Sequence, residues 1–146
     1  MPILGWPELT LLLGILILLH APVWPAMRAK PLGPLPYRWG CYVGIQSFLA
    51  SAVLLVEAYS FAGNHPLLAA ASALQAVLLA SAGIGLLRRR RWGVACLFAG
   101  YLTREAVPAM AGSGSAFIGL IATLIFLGIN LLYFGKRWTW MGLKAS

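Results

Sequence analysis

Long, nearly uninterrupted apolar runs dominate this sequence and limit what it can fold into. Of its 146 residues, 61% are hydrophobic and only 10% are charged, whereas soluble domains average about half apolar and a quarter charged. A chain this short has too little interior to bury so much apolar surface, and a disordered chain needs the opposite composition. The sequence therefore predicts an integral membrane protein.

Five stretches are apolar enough to cross a bilayer, for which about 20 residues are needed. They cover approximately residues 7–27, 41–61, 67–87, 92–112 and 115–134. Pro22 and Pro25 break or end the first stretch, and Arg104, Glu105 and Pro108 interrupt the fourth. None shows the period of two that is typical of membrane barrel strands. We expect one domain, residues 1–146, that forms an all-α bundle of five transmembrane helices.

The basic residues predict how this bundle is oriented. Every Lys and Arg except Arg104 lies in one of three segments, namely residues 28–40, residues 88–91 and the tail after residue 135. Five spans put these segments on one side, and the opposite connections carry no Lys or Arg. The positive-inside rule then puts the C-terminus in the cytoplasm and the N-terminus outside. We expect a multi-pass protein of a bacterial inner membrane.

Tryptophans and an arginine run fit this orientation. Amphipathic Trp rings favour the headgroup level, and six lie near predicted span ends, namely Trp6, Trp24, Trp39, Trp92, Trp138 and Trp140. The turn formed by Arg88, Arg89, Arg90 and Arg91 is expected to contact anionic headgroups on the cytoplasmic side. A four-residue turn held at the bilayer surface is a poor nucleic-acid site. We therefore attribute the net charge of +8 to the cytoplasmic side of the membrane and expect no nucleic-acid partner.

Four polar residues fall inside the predicted spans, namely Glu57, Gln75, Arg104 and Glu105. Charges at membrane depth are costly and usually face protein or water. At a rise of 1.5 Å per residue, Arg104 lies about 12 Å and Glu57 about 6 Å below the outer boundary, with Gln75 level with Arg104. Three interpretations stay open: an outward-facing polar pocket or ion path, a structural ion pair that fixes helix packing, or a shorter, tilted fourth span with its charges near the outer headgroups.

Small residues predict close contacts of the third span, where Ala69, Ala73, Ala76, Ala80 and Gly83 recur at helical spacing. Such residues let helix backbones approach in lipid. The contacts can be within the chain, with a second copy or with another membrane subunit.

Motifs of catalysis or metal binding are missing from the sequence: there is no HExxH, GxSxG, P-loop or zinc spacing. Cys41 and Cys96 are expected to be reduced thiols near the cytoplasm. His20 and His65 lie at opposite depths, so they cannot be two axial ligands of one haem. No cofactor can be assigned.

The start of the chain, Gly-Trp-Pro-Glu-Leu at residues 5–9 before an apolar run, resembles the start of a twin-arginine translocase pore subunit. The resemblance covers about the first span. The Phe-Gly hinge and amphipathic helix of that family do not follow; His20 and a proline-rich loop follow instead. We interpret the resemblance as convergence on a short anchor whose N-terminus lies outside.

With little mass outside the bilayer and no catalytic motif, we expect a non-catalytic accessory or structural subunit of a larger inner-membrane complex. It would hold partner helices, lipids or cofactors in place. The alternative is a small oligomeric transporter or channel that uses Glu57, Gln75, Arg104 and Glu105. An intramembrane enzyme with a lipid or quinone pocket near these acids is a third hypothesis.

Overall fold

The computed structural model describes residues 14, 16–17, 20–110 and 116–142, with backbone only for residues 104–110 and 116–118. Its helices are α1 (Val23–Met27), α2 (Arg38–Phe61), α3 (Pro66–Leu87), α4 (Arg91–Met110) and α5 (Ala116–Gly135). This part of the chain has no strand, and an isolated bridge between Leu32 and Leu35 closes a tight turn before α2. The all-helical prediction is confirmed for the described residues.

Two helices, α2 and α3, are long and apolar enough to cross a membrane, and α5 holds a shorter apolar stretch, Gly119–Gly135. Only 28% of the most apolar window of α2, and of α3, is buried inside the protein. The core helix of a soluble protein would be mostly buried, so the low burial of these helices fits a membrane span better than a soluble core. The predictions for residues 41–61 and 67–87 match α2 and α3, while the number of five spans stays a prediction.

The first predicted span lies mostly outside the described residues, but its end is visible. Residues 21 and 22 form a turn, and α1 begins directly after Pro22. Pro25 falls within the first turn of α1, where a missing backbone N–H breaks no intrahelical hydrogen bond. Pro22 therefore lies between α1 and the apolar run before it, whereas Pro25, which was also predicted to break or end the helix, lies inside α1.

Glycines let three helices pack closely. α2 and α3 are joined by the short turn 62–65 and run antiparallel, and a Cβ placed on Gly83 would lie 2.8 Å from the Gly44 carbonyl oxygen. A Cβ on Gly85 would clash with the Gly93 backbone, where α3 meets α4. The small-residue contacts predicted for the third span are thus made, at Gly83, within the chain.

The buried core lies toward the end of the bundle where the loop before α2 meets the tail after α5. Its large, nearly inaccessible side chains are Tyr37, Leu86, Leu97, Phe134 and Met141. They come from the loop, three helices and the tail, so the core joins segments that are far apart in the sequence.

Candidate functional site

The three basic segments meet at one end of the bundle. We call the loop 28–37, the turn 88–90 and the tail 136–142 the basic end. Arg89 joins all three, because its Nη1 and Nη2 donate to the carbonyl oxygens of Pro31 (3.0 Å) and Lys30 (2.9 Å). Its own carbonyl accepts the N–H of Gly142 at 2.9 Å. The segments that a five-span topology must put on one side are therefore in direct contact.

Arg89 also has an unusual backbone. Its φ of 56° lies in the left-handed region, which non-glycine residues enter at a cost of roughly 1–2 kcal/mol. The guanidinium lies 5.6 Å from the centre of the Tyr37 ring, close enough for a cation–π contact. The hydrogen bonds to the loop and the tail offset the backbone cost and fix the turn between α3 and α4.

Other arginines bind backbone carbonyls in the same way. Arg91 Nε donates to the Trp138 carbonyl at 3.0 Å and its guanidinium lies over that indole ring. Arg137 is 8% exposed, donates to the Pro36 carbonyl at 3.0 Å and stacks on Tyr133 at 3.7 Å. Carbonyls are neutral acceptors, so these bonds order the chain without cancelling its positive charge.

Two tyrosines complete the basic end. The Tyr37 hydroxyl is buried and donates to the Leu86 carbonyl at 3.0 Å, and burial raises the pKa of this hydroxyl well above its ordinary value. The Tyr133 hydroxyl accepts from the Gly40 N–H and donates to the Pro36 carbonyl, both at 3.2 Å. The loop is thereby attached to α3 and α5 as well as to the turn.

The predicted lipid-contacting arginines thus have different surroundings. Arg88 is exposed, and its side chain makes no hydrogen bond to any described group. Arg90 makes one long bond, 3.4 Å, to the Gly142 carbonyl. Arg89 and Arg91 hold the loop and the tail. Contact with anionic headgroups stays a prediction, and Arg88 has the side chain most available for it.

Predicted interface tryptophans are found around this end. Trp24, Trp39, Trp92, Trp138 and Trp140 are all partly exposed, and Trp6 lies outside the described residues. The Trp39 Nε1 donates to Asn130 Oδ1 at 3.1 Å, and Asn130 Nδ2 donates to the Phe126 carbonyl at 2.8 Å. This link between α2 and α5 was not predicted, although a single Asn in a strongly apolar helix is a signal for such a bond.

A cavity of about 410 Å³ lies between α2, α3 and α4, away from the basic end. The lining residues with polar side chains are Gln46, Glu57, Ser72, Gln75, Tyr101 and Thr103. Glu57 is exposed, whereas Gln75 is only 6% exposed. Two members of the predicted polar cluster are therefore brought to one cavity, which has the size of a small-molecule site.

Arg104 and Glu105, the other two members, belong to α4, and their side chains lie outside the described part. The backbone still fixes their level. Gly100 packs against Leu79, and Thr103, which precedes Arg104, lines the cavity. Helix α4 therefore carries the backbone of position 104 past the cavity at about the level of Gln75.

One further polar group belongs to this cavity. Gln46 lines it, and the Gln46 Oε1 atom is buried without a hydrogen-bond partner. Buried polar atoms are rarely left unsatisfied. Gln46 was not part of the predicted polar cluster. The available signal was its spacing of eleven residues, three helical turns, from Glu57.

The described residues contain no group of three or more side chains that could hold a metal ion, and Cys41 and Cys96 are not joined in a disulfide. His20 Nδ1 bonds to the Leu16 carbonyl at 2.8 Å, while His65 packs edge-on against Phe61. Both histidines therefore have structural contacts.

The chain matches no family model, no curated protein and no solved structure.

Proposed function

We propose that this chain is a multi-pass protein of a bacterial inner membrane, with five spans, the basic end in the cytoplasm and the N-terminus outside. The contact between three positively charged segments at one end supports this orientation, because positively charged segments are retained in the cytoplasm. The large exposed apolar surface of the helices supports a lipid environment.

Within that membrane, we propose the role of a non-catalytic accessory subunit of a larger complex, one that holds partner helices, lipids or cofactors. The observation that carries this proposal is the combination of a firmly joined basic end with extensive bare apolar helix faces. On α5, the exposed large apolar side chains are Leu120, Ile121, Leu124, Ile125, Ile129, Leu131 and Leu132. These side chains belong to the same helix as Asn130, whose side chain accepts a hydrogen bond from Trp39 on α2.

The native mass after gentle solubilisation tests this role. An accessory subunit is expected to appear in a fixed ratio with larger membrane proteins and to be degraded when it is expressed alone. A stable complex that contains only copies of this chain would contradict the proposal and favour the second candidate.

The second candidate is a small oligomeric transporter or channel, and the cavity at Glu57 and Gln75 is the observation that favours it. Solute flux into liposomes containing the purified chain tests it. Flux that falls in Glu57→Gln, but not in the neighbouring exposed variant Ser60→Ala, would support transport. Equal flux in both variants and in the parent would argue against a path through this cavity.

A further inference from the structure

We infer that the cavity between α2, α3 and α4 binds a linear amphiphile, with an ammonium group at Glu57 and a hydroxyl at Gln46 joined by an apolar chain. Binding at this cavity requires neither an accessory role nor transport. The ligand class follows from the two ends of the cavity, from the wall between them and from the distance that separates them.

The outer end of the cavity carries a carboxylate. Glu57 is exposed and forms no ion pair with any described side chain. An ammonium group is therefore the complementary partner at this end.

The inner end of the cavity carries an unsatisfied amide. The Gln46 Oε1 atom is buried without a partner, and a buried acceptor in that state is costly. The oxygen is enclosed as the amide stands, so a ligand reaches it only when the amide turns over about its last side-chain bond. A hydroxyl both donates and accepts, so it can bind the amide in either orientation. The neighbouring Ser47 hydroxyl is already used, because it donates to the Val43 carbonyl at 2.7 Å.

The wall between the two ends is mostly apolar. Ala50, Val53 and Leu54 lie between Gln46 and Glu57 on α2, and Leu79 faces them from α3. The polar exceptions are Ser72 and Gln75 on α3 and the hydroxyl-bearing Tyr101 and Thr103 on α4. Such a lining favours methylene groups over further charged ones, since an unpaired charge inside it would be strongly penalised.

The two polar ends lie far apart. Gln46 and Glu57 are eleven residues apart on one helix, which at 1.5 Å per residue separates them by about 16 Å. One small head group cannot reach both ends. A chain of about twelve methylene groups can, so 12-amino-1-dodecanol is a probe with both groups at the required separation.

Titration of the full-length protein in nanodiscs with three probes of equal chain length tests the inference. 12-Amino-1-dodecanol has both end groups, dodecylammonium lacks the hydroxyl and 1,12-dodecanediol lacks the charge. We expect 12-amino-1-dodecanol to bind about 10-fold more tightly than dodecylammonium and about 3-fold more tightly than the diol. Empty nanodiscs correct for partition into lipid.

Two variants assign these preferences to the two ends. Gln46→Leu should abolish the advantage of the hydroxyl and keep that of the ammonium, whereas Glu57→Gln should do the reverse. Ser60→Ala, which changes an exposed hydroxyl outside the cavity lining, should bind like the parent. Equal binding of all three probes, or equal effects of both variants on both preferences, would overturn the inference and indicate nonspecific uptake of an alkyl chain.

If a variant fails to fold, the probe comparison on the parent still decides. Gln46→Leu is expected to fold, because it replaces an unsatisfied buried amide by an apolar side chain of similar size. Glu57→Gln is expected to fold because Glu57 is exposed.

Discussion

Arg89→Ala should release the loop of the basic end from the turn between α3 and α4. The substitution removes the hydrogen bonds from the guanidinium to the carbonyls of Lys30 and Pro31. It leaves an L-residue at the same left-handed φ of 56°, so the backbone cost is unchanged. The difference between the parent and this variant therefore reports the guanidinium contacts.

The magnitude follows from the geometry of these contacts. Two hydrogen bonds from a charged donor, at 3.0 Å and 2.9 Å in an exposed setting, are together worth about 2 kcal/mol. The more distant contact with the Tyr37 ring adds about 0.5 kcal/mol. The sum is about 2.5 kcal/mol, and because each 1.4 kcal/mol is a factor of ten in an equilibrium, local opening of the loop should rise roughly 60-fold.

Hydrogen exchange at the Leu32 amide is the suitable assay. This N–H donates to the Leu35 carbonyl at 2.8 Å inside the loop, so it exchanges when the loop opens. Arg88→Ala is the matched control, since the Arg88 side chain is exposed and only its backbone N–H is hydrogen bonded. Arg89→Gly should accelerate exchange at Leu32 as much as Arg89→Ala, because it lacks the same guanidinium contacts, and the roughly 1 kcal/mol of backbone cost that glycine relieves should appear in the unfolding free energy instead.

Unchanged exchange at Leu32 in Arg89→Ala would refute the reasoning, as would an equal acceleration in Arg88→Ala. In the first case the loop would be held by other contacts. In the second case the effect would come from the net charge of the turn rather than from the hydrogen bonds of Arg89.

Three further predictions concern packing, pH and a polar contact. Gly85→Ala should lower the unfolding free energy by about 2 kcal/mol, because its Cβ would clash with the α4 backbone. Gly128→Ala is the control: a Cβ there has no neighbour within 4 Å, so thermal stability in detergent should stay unchanged or rise. Burial raises the pKa of Tyr37, so the unfolded chain loses this proton first and stability should fall as the pH rises above about 10. Denaturation at pH 9 and 11 should show a smaller alkaline loss in Tyr37→Phe, and an equal loss would contradict this. Asn130→Leu should lower the unfolding free energy by about 1 kcal/mol and alter Trp39 fluorescence, because the hydrogen bond between α2 and α5 is lost. An unchanged Trp39 signal would contradict that hydrogen bond.

The helices were largely predictable because apolar runs of this length leave few alternatives. The predicted second and third spans, residues 41–61 and 67–87, coincide with α2 and α3 except at the start of α2. The helix begins at Arg38, three residues before the predicted span. The prediction started later because it followed hydropathy, which excludes the polar Arg38 and the interfacial Trp39. Interface residues of this kind belong to the helix without belonging to its apolar run.

The basic end could be predicted as a location but not as a structure. Charge placed the three segments on one side, yet the acceptors of Arg89, Arg91 and Arg137 are backbone carbonyls. Every residue carries a carbonyl, so the sequence contains no signal for which one an arginine will bind.

The cavity was predicted in part. Glu57 and Gln75, two members of the predicted polar cluster, line one cavity, whereas the role of the cluster stays a prediction. Gln46 was missed, because its importance comes from the lack of a hydrogen-bond partner. That property depends on how the neighbouring helices pack, and a single sequence does not specify it.

Cysteine labelling in intact cells tests the proposed orientation most directly. In a chain with Cys41→Ala and Cys96→Ala, Gly63→Cys puts a thiol in the turn between α2 and α3, where a Cβ has open space, and Lys136→Cys puts one in the exposed tail. A membrane-impermeant maleimide should label Gly63→Cys in intact cells and Lys136→Cys only after the membrane is opened. Labelling of Lys136→Cys from outside, or of both positions in intact cells, would contradict a cytoplasmic basic end.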